Sequence, residues 1–200
     1  MESGVGKDKM ESRASESDSA AKASFEHVYE AHHEAVLGYC ARRARRIDAW
    51  DAAAEVFAIA WRRASDIPSG DETLPWLLGV AYRVLSNQRR SENRRRRLAV
   101  RAAHTASDSP PSPDAQLVRN EEEAEVIAAL LRLRPLDREV IQLTLWEELP
   151  RDHIANVLGV SRQTLDQRVS RAKKRLAKEL ERGTRVRRAT PARKPKGGAT

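Results

Sequence analysis

Only one residue of the 200 is a cysteine, Cys40. A lone thiol excludes an internal disulfide and a thiolate zinc cage, and it fits a reducing compartment. Aromatic side chains are scarce too, at 4% of the chain, which argues against one large β-sandwich core and for small cores built from helices. No apolar run approaches the roughly 18 residues of a membrane span. The opening MESGVGKDKM lacks the hydrophobic stretch of a secretory signal. A soluble, cytoplasmic protein with no membrane insertion is expected. No segment alternates apolar and polar residues strongly enough to predict a strand. His27, His32, His33 and Cys40 make a poor metal cluster, because helical spacing sets His32 and Cys40 among apolar positions and turns His33 elsewhere. No metal, cofactor or enzymatic activity is expected.

Positive charge is what the chain has in excess, with Lys plus Arg at 37 against Asp plus Glu at 29 and a net charge of +8. Such a balance favours a polyanionic partner. The excess is local: Arg89 to Arg101 holds seven Arg and one acid, Glu92, and Arg185 to Lys196 holds six bases and no acid.

Periodicity then divides the chain. Residues 1–23 lack apolar spacing and are predicted to be a disordered tail. From Ser24, a residue type suited to N-capping, Phe25, Val28, Tyr29, His32, Val36 and Tyr39 recur at helical intervals. A second helix is expected after a cap at Asp48, with Ala53, Val56, Phe57, Ala60, Trp61 and Ala64 as its stripe. DIPSGDE breaks it, and LPWLLGVAYRVLSNQRR supplies a third, with Pro75 tolerable in the first turn. Three helices can close one small core over residues 24–102. The stretch AHTASDSPPSPDAQ reads as a flexible linker within 103–119. Beyond it, residues 120–182 predict four helices, and 183–200 a basic disordered tail.

The last two of those four meet at IANVLGVSRQTLDQRVSRAKKR. A DNA-reading helix pair needs a small residue where the axes approach, a turn residue tolerant of unusual dihedrals and a buried anchor on the second helix; Ala155, Gly159 and Leu165 supply them. Ser161 is the expected cap of the second helix. The candidate DNA-contacting residues there are Arg162, Gln163, Thr164, Asp166, Gln167, Arg168, Arg171 and Lys174. Arg suits guanine edges, Gln suits adenine, and the later cations suit phosphate.

RPLDREVIQLTLWEELPRDHIANVLGVSRQTLDQRVSRAKKRL resembles the second conserved domain of the extracytoplasmic-function sigma factors, compact two-domain specificity subunits of bacterial RNA polymerase. WDAAAEVFAIAW and LPWLLGVAYRVLSNQRR resemble parts of the first. The resemblance implies an all-α fold of two small helical domains on a flexible linker, the C-terminal one a helix-turn-helix that engages the minus-thirty-five element. It implies core RNA polymerase and promoter DNA as partners, with an anti-sigma factor as a further one. Asp51, Glu55 and Phe57 are the implied polymerase-docking residues. Trp76, Arg89 and Arg90 are the implied contacts to the minus-ten element. Ala54, Arg83 and Asn87 depart from the residues common at those places in the family.

Two other classes are compatible with parts of the chain. A helix-turn-helix regulator that acts without polymerase would need a sensor or dimerisation module, for which the N-terminal half offers neither ligand-pocket organisation nor a heptad seam. A nucleic-acid enzyme using Asp48, Asp51 and Glu55 with a metal would need a nucleophile, and none accompanies them.

Overall fold

The computed structural model describes residues 5–44, 46–102 and 121–189. Its regular structure is helical: seven α-helices and two short 3-10 turns, with no strand among the described residues. The chain divides into two compact units, Met1–Asp114 with Asn156–Gly159, and Ala115–Ala155 with Val160–Thr200.

In the first unit α1 (Val5–Ala41), α2 (Arg46–Arg62) and α3 (Thr73–Ala102) pack on one another pairwise. Alanines make the close approach of α2 possible. Ala49, Ala52, Ala53 and Ala60 are all buried, with Val56 and Phe57 between them, so the inward face of this helix is mostly methyl groups. Its bulkiest side chains, Trp50 and Trp61, face outward instead, at 61% and 44% exposed. Phe57 lies edge-on to Tyr29 at 4.8 Å and to Phe25 at 6.5 Å, and Trp61 meets Phe25 at 5.0 Å. Burial pushes the Cys40 thiol up to about 11, outweighing the opposite pull of Arg43 and Arg42. That thiol is core, and no group of three or more His, Cys, Asp or Glu among the described residues is placed to hold a metal ion.

Four more helices follow, α4 (Glu121–Arg132), α5 (Pro135–Leu145), α6 (Arg151–Leu158) and α7 (Arg162–Ala189), of which α4, α5, α7 and the start of α6 lie in the second unit. Leu130, Leu133, Ile141 and Ala172 form one buried cluster there, edged by Leu176. Two arginines fix the helix ends. Arg138 Nε donates to the Leu130 carbonyl at 2.9 Å, an acceptor near the C-terminus of α4 that also takes Leu133 N at 3.1 Å. Arg175 of α7 pairs with Asp137 of α5, whose carboxylate is buried and therefore needs such a partner.

Several boundaries differ from the sequence reading. Ser24 is an interior residue of α1, not its cap, because the helix runs from Val5; no proline and no glycine after Gly6 interrupts the stretch before Ser24. Asp48 sits in the first turn of α2, which opens at Arg46, where its charge favours the helix dipole. The basic run after Gln88 continues α3 to Ala102. In the predicted C-terminal tail, residues up to Ala189 are the end of α7. The predicted linker at 103–119 lies outside the described residues, as do residues 1–4 and 190–200. No described helix is long and apolar enough to cross a membrane.

Candidate nucleic-acid interface

A left-handed glycine makes the turn between α6 and α7. Gly159 has φ +64°, and an added Cβ there would meet nothing within 4 Å, so dihedral freedom alone explains glycine at this position. Val160 N then donates to Ala155 O at 3.0 Å, tightening the end of α6. Ser161 caps α7 as expected: its Oγ accepts from Thr164 N at 3.2 Å, while its carbonyl accepts from Leu165 N at 2.9 Å. Ile154, Ala155, Leu165, Val169 and Ala172 are buried, which fixes the rotation of α7 about its own axis.

That rotation decides which candidates face solvent. Arg162, Gln163, Asp166, Gln167, Arg171 and Lys174 are exposed. Thr164 is half-buried with its hydroxyl 2.8 Å from Ser161 Oγ, so it belongs to the cap. Arg168 is also half-buried and its Nε is enclosed without a hydrogen bond; three residues after Leu165 and one before Val169, it flanks the buried stripe instead of standing on the exposed face.

Exposed is not the same as unengaged. Arg162 Nη1 donates to Asp152 Oδ1 at 2.6 Å, its Nε lies 3.3 Å from Asp166 Oδ2, and Arg151 Nη1 reaches Asp166 Oδ1 at 3.5 Å. Four charges thus link the first turn of α6 to the first turns of α7. The Asp152 hydrogen bond, ahead of the charge of Asp152 and the contacts to Asp166, holds the Arg162 pKa above its ordinary value. Farther along, Arg171 Nη2 donates to Gln167 Oε1 at 3.0 Å, leaving the Gln167 amide nitrogen to donate elsewhere. The sequence reading missed the α6 members of this network, Arg151 and Asp152. Opposite charges at both helix starts were the available signal.

In the first unit, Asp51 and Glu55 share the outer face of α2 with Trp50, Ala54 and Ala58. At 3.6 residues per turn, Trp50 and Trp61 line one edge of that face and Asp51 and Glu55 the other. Phe57, the third docking candidate, is only 7% exposed because Phe25 and Tyr29 cover its ring, and it offers almost no surface to a partner. Trp50 was not singled out from sequence, although the buried positions 49, 52, 53, 56, 57 and 60 imply that residue 50 points out. Trp76 is half-buried, with the Arg63 guanidinium 5.6 Å from its ring centroid; Arg63 also pairs with Asp66 at 2.9 Å. Arg89 and Arg90 are exposed on α3, and Arg89 Nη2 donates to Arg43 O at 3.0 Å.

A capped second helix locked by a buried stripe, with an exposed polar start, defines a helix-turn-helix protein. Residues 123–176 match the family described as sigma-70, region 4. The chain is 31% identical over 134 residues to a probable RNA polymerase sigma factor RfaY of Xanthomonas campestris pv. campestris, an overlap of 65% of this chain and 33% of that relative. It therefore spans about a third of that relative's length. Over 138 residues it is 28% identical to the RNA polymerase sigma factor NccH of Alcaligenes xylosoxydans xylosoxydans, covering 67% of this chain and 74% of that one. Its fold matches that of the sigma factor RpoE in its complex with the anti-sigma factor NepR from Bartonella quintana, with a TM-score of 0.59, 23% identity, and coverage of 78% of this chain and 96% of that one. CnrH, in complex with the cytosolic domain of CnrY, matches with a TM-score of 0.56, 23% identity, and coverage of 79% and 88%. The chain is thus similar to RNA polymerase sigma factors, with the sigma-70 region 4 match confined to residues 123–176.

Proposed function

We propose that the chain is an RNA polymerase sigma factor that binds core polymerase, recognises promoter DNA and promotes initiation of transcription, with no chemistry of its own. One observation carries the reading: a single chain joins a helix-turn-helix of the sigma-70 region 4 family to a separate helical unit that offers an acidic helix face and an arginine-rich helix. Each has a distinct task. The outer face of α2, with Asp51 and Glu55 on one edge and Trp50 on the other, docks on polymerase. Arg89 and Arg90, with the arginines that follow on α3, hold the phosphates of the minus-ten element, and Trp76 with the loop before it stands beside the opened strand. Residues 24–102 and 120–182 are the two functional domains, with 103–119 as their tether.

The exposed start of α7 reads the minus-thirty-five element, Gln163 and Gln167 at base edges and Arg171 and Lys174 along the backbone. Working on core polymerase places the protein in the cytoplasm. An anti-sigma protein is a further partner, supported by the complex in which the similarly folded RpoE is held.

Gel filtration with purified core polymerase, followed by permanganate footprinting of a promoter fragment, tests the reading. Co-elution with core and thymine reactivity only in the combined sample support it. Tight binding to a duplex by the chain alone, with no association with core, favours a polymerase-independent regulator.

A further inference from the structure

The four-charge network at the helix-turn-helix places an acid where a DNA-reading cation has to work. Arg162 is the first residue of α7, the part of a second helix that comes nearest base edges in a groove. Its guanidinium is the most versatile reader available there, since its fork of N–H donors matches both guanine and phosphate. Yet Nη1 is given to Asp152 and Nε to Asp166, so two of its three nitrogens are engaged within the protein. Asp166 is itself shared with Arg151. Asp152, by contrast, has Arg162 as its ion-pair partner at 2.6 Å, and its side chain is 74% exposed at the opening of α6.

We infer that Asp152 is a specificity-determining residue that competes with DNA for Arg162. Its carboxylate is replaced only when the duplex offers Arg162 an acceptor pair good enough to displace it. A lone phosphate on an unrelated sequence gains less, because binding it means giving up a charge-assisted hydrogen bond already made. Asp152 thereby lowers affinity for all DNA and lowers it most for the wrong DNA. Asp166 is the weaker competitor, because it keeps Arg151 as a partner when Arg162 turns to DNA, whereas Asp152 is left without its 2.6 Å pair. The inference rests on the proposed reading of α7 as the minus-thirty-five helix.

The plainer role for Asp152 is to favour the α6 dipole by a negative charge in the first turn. A double-mutant cycle separates the two roles. The full chain combined with core polymerase is titrated onto a matched promoter duplex and onto the same duplex with a scrambled upstream element, at several salt concentrations. Asp152→Asn is expected to tighten binding to the scrambled duplex about two- to five-fold, the scale of one exposed ion pair. It should tighten the matched duplex less, and steepen the salt dependence on the scrambled one by about one ion. Asp152→Ser, which keeps a polar group in the first turn of α6, should do the same; Asp152→Glu should resemble the wild type. In an Arg162→Gln background the effect of Asp152→Asn should vanish. Persistence of the gain in that background would assign it to general repulsion between an acid and DNA, and overturn the inference. Unchanged or weakened binding by both Asn and Ser variants, with normal α-helical content, overturns it as well while leaving the motif's DNA-binding role intact. Absence of DNA binding by the wild-type chain with and without core polymerase would remove that role and the inference together.

Discussion

Gln88 on α3 donates its side-chain amide to Glu55 on α2 at 3.2 Å. The contact joins the acidic face to the arginine-rich helix, one residue before Arg89. It holds one Glu55 oxygen in place and leaves the carboxylate exposed on the α2 surface. Reversing charge on this face, with Asp51→Lys and Glu55→Lys together, should weaken association with core polymerase while far-UV circular dichroism stays that of the wild type. An unchanged affinity in a folded double variant would remove the acids from the docking face.

Trp50 provides an independent probe of the same surface. It is 61% exposed and contributes little to the core, so Trp50→Ala should leave thermal stability within about 0.5 kcal/mol. A buried aromatic anchor at an interface is commonly worth about 2 kcal/mol or more, so affinity for core polymerase should fall about 30-fold or further. Phe57→Ala should instead destabilise the first unit by about 3–5 kcal/mol, because its ring is packed under Tyr29 and Phe25. Titration calorimetry against thermal melts distinguishes the two. A stability loss at Trp50 equal to that at Phe57 would contradict the assignment of faces.

Part of this division was legible in sequence. The helices, the Gly159 turn, the Ser161 cap and the outward set on α7 follow from periodicity and capping chemistry, which act locally. Periodicity set Phe57 in the inward stripe, where it lies, and its docking role came from the family resemblance alone. A stripe does not mark which neighbouring helix covers it; Phe25 and Tyr29 come from α1, some thirty residues upstream. The pairing of Arg162 with Asp152 was hidden for the same reason. It bridges two helices across a turn, and spacing along a single helix cannot predict it. Helix ends were the least readable, as Asp48 shows: it has a capping side chain but lies inside the first turn.

Gly159→Ala tests the turn itself. With no steric neighbour near the missing Cβ, the cost is the left-handed dihedral alone, about 1–2 kcal/mol. Hydrogen exchange of α7 amides, Leu165 among them, should quicken about 5- to 30-fold where exchange reports unfolding of this unit. Unchanged exchange would mean that the turn tolerates a side chain without strain.

His32 gives the first unit a pH dependence. Burial, reinforced by His27, holds its pKa below the ordinary 6.5. A base with a depressed folded-state pKa binds fewer protons folded than unfolded, so its contribution is fully present above about 6.5 and is lost as pH falls through the folded value. The urea midpoint of the first unit should drop between pH 7.5 and 5.5, and His32→Gln should reduce that drop. An equal drop in the variant would assign the titration to other groups.

On the exposed face of α7 the expected division is between reading and holding. Gln163→Ala or Gln167→Ala should alter preference among minus-thirty-five sequences, with about 1–3 kcal/mol for a lost good base contact. Lys174→Ala should weaken all sequences alike and reduce the salt slope by about one. Selection from a randomised upstream element at several salt concentrations separates these outcomes. Uniform weakening by both Gln variants, with unaltered preference, would contradict the reading face.

Run-off transcription tests the central claim most directly. Purified core polymerase is supplied with a library of genomic fragments, with and without the chain. The account predicts discrete transcripts, starting at a fixed distance from a shared upstream element, that appear only when the chain is present and are lost in the Asp51→Lys, Glu55→Lys double variant. Identical transcripts from core alone, or none with a chain that nonetheless binds specific duplexes by itself, would contradict it.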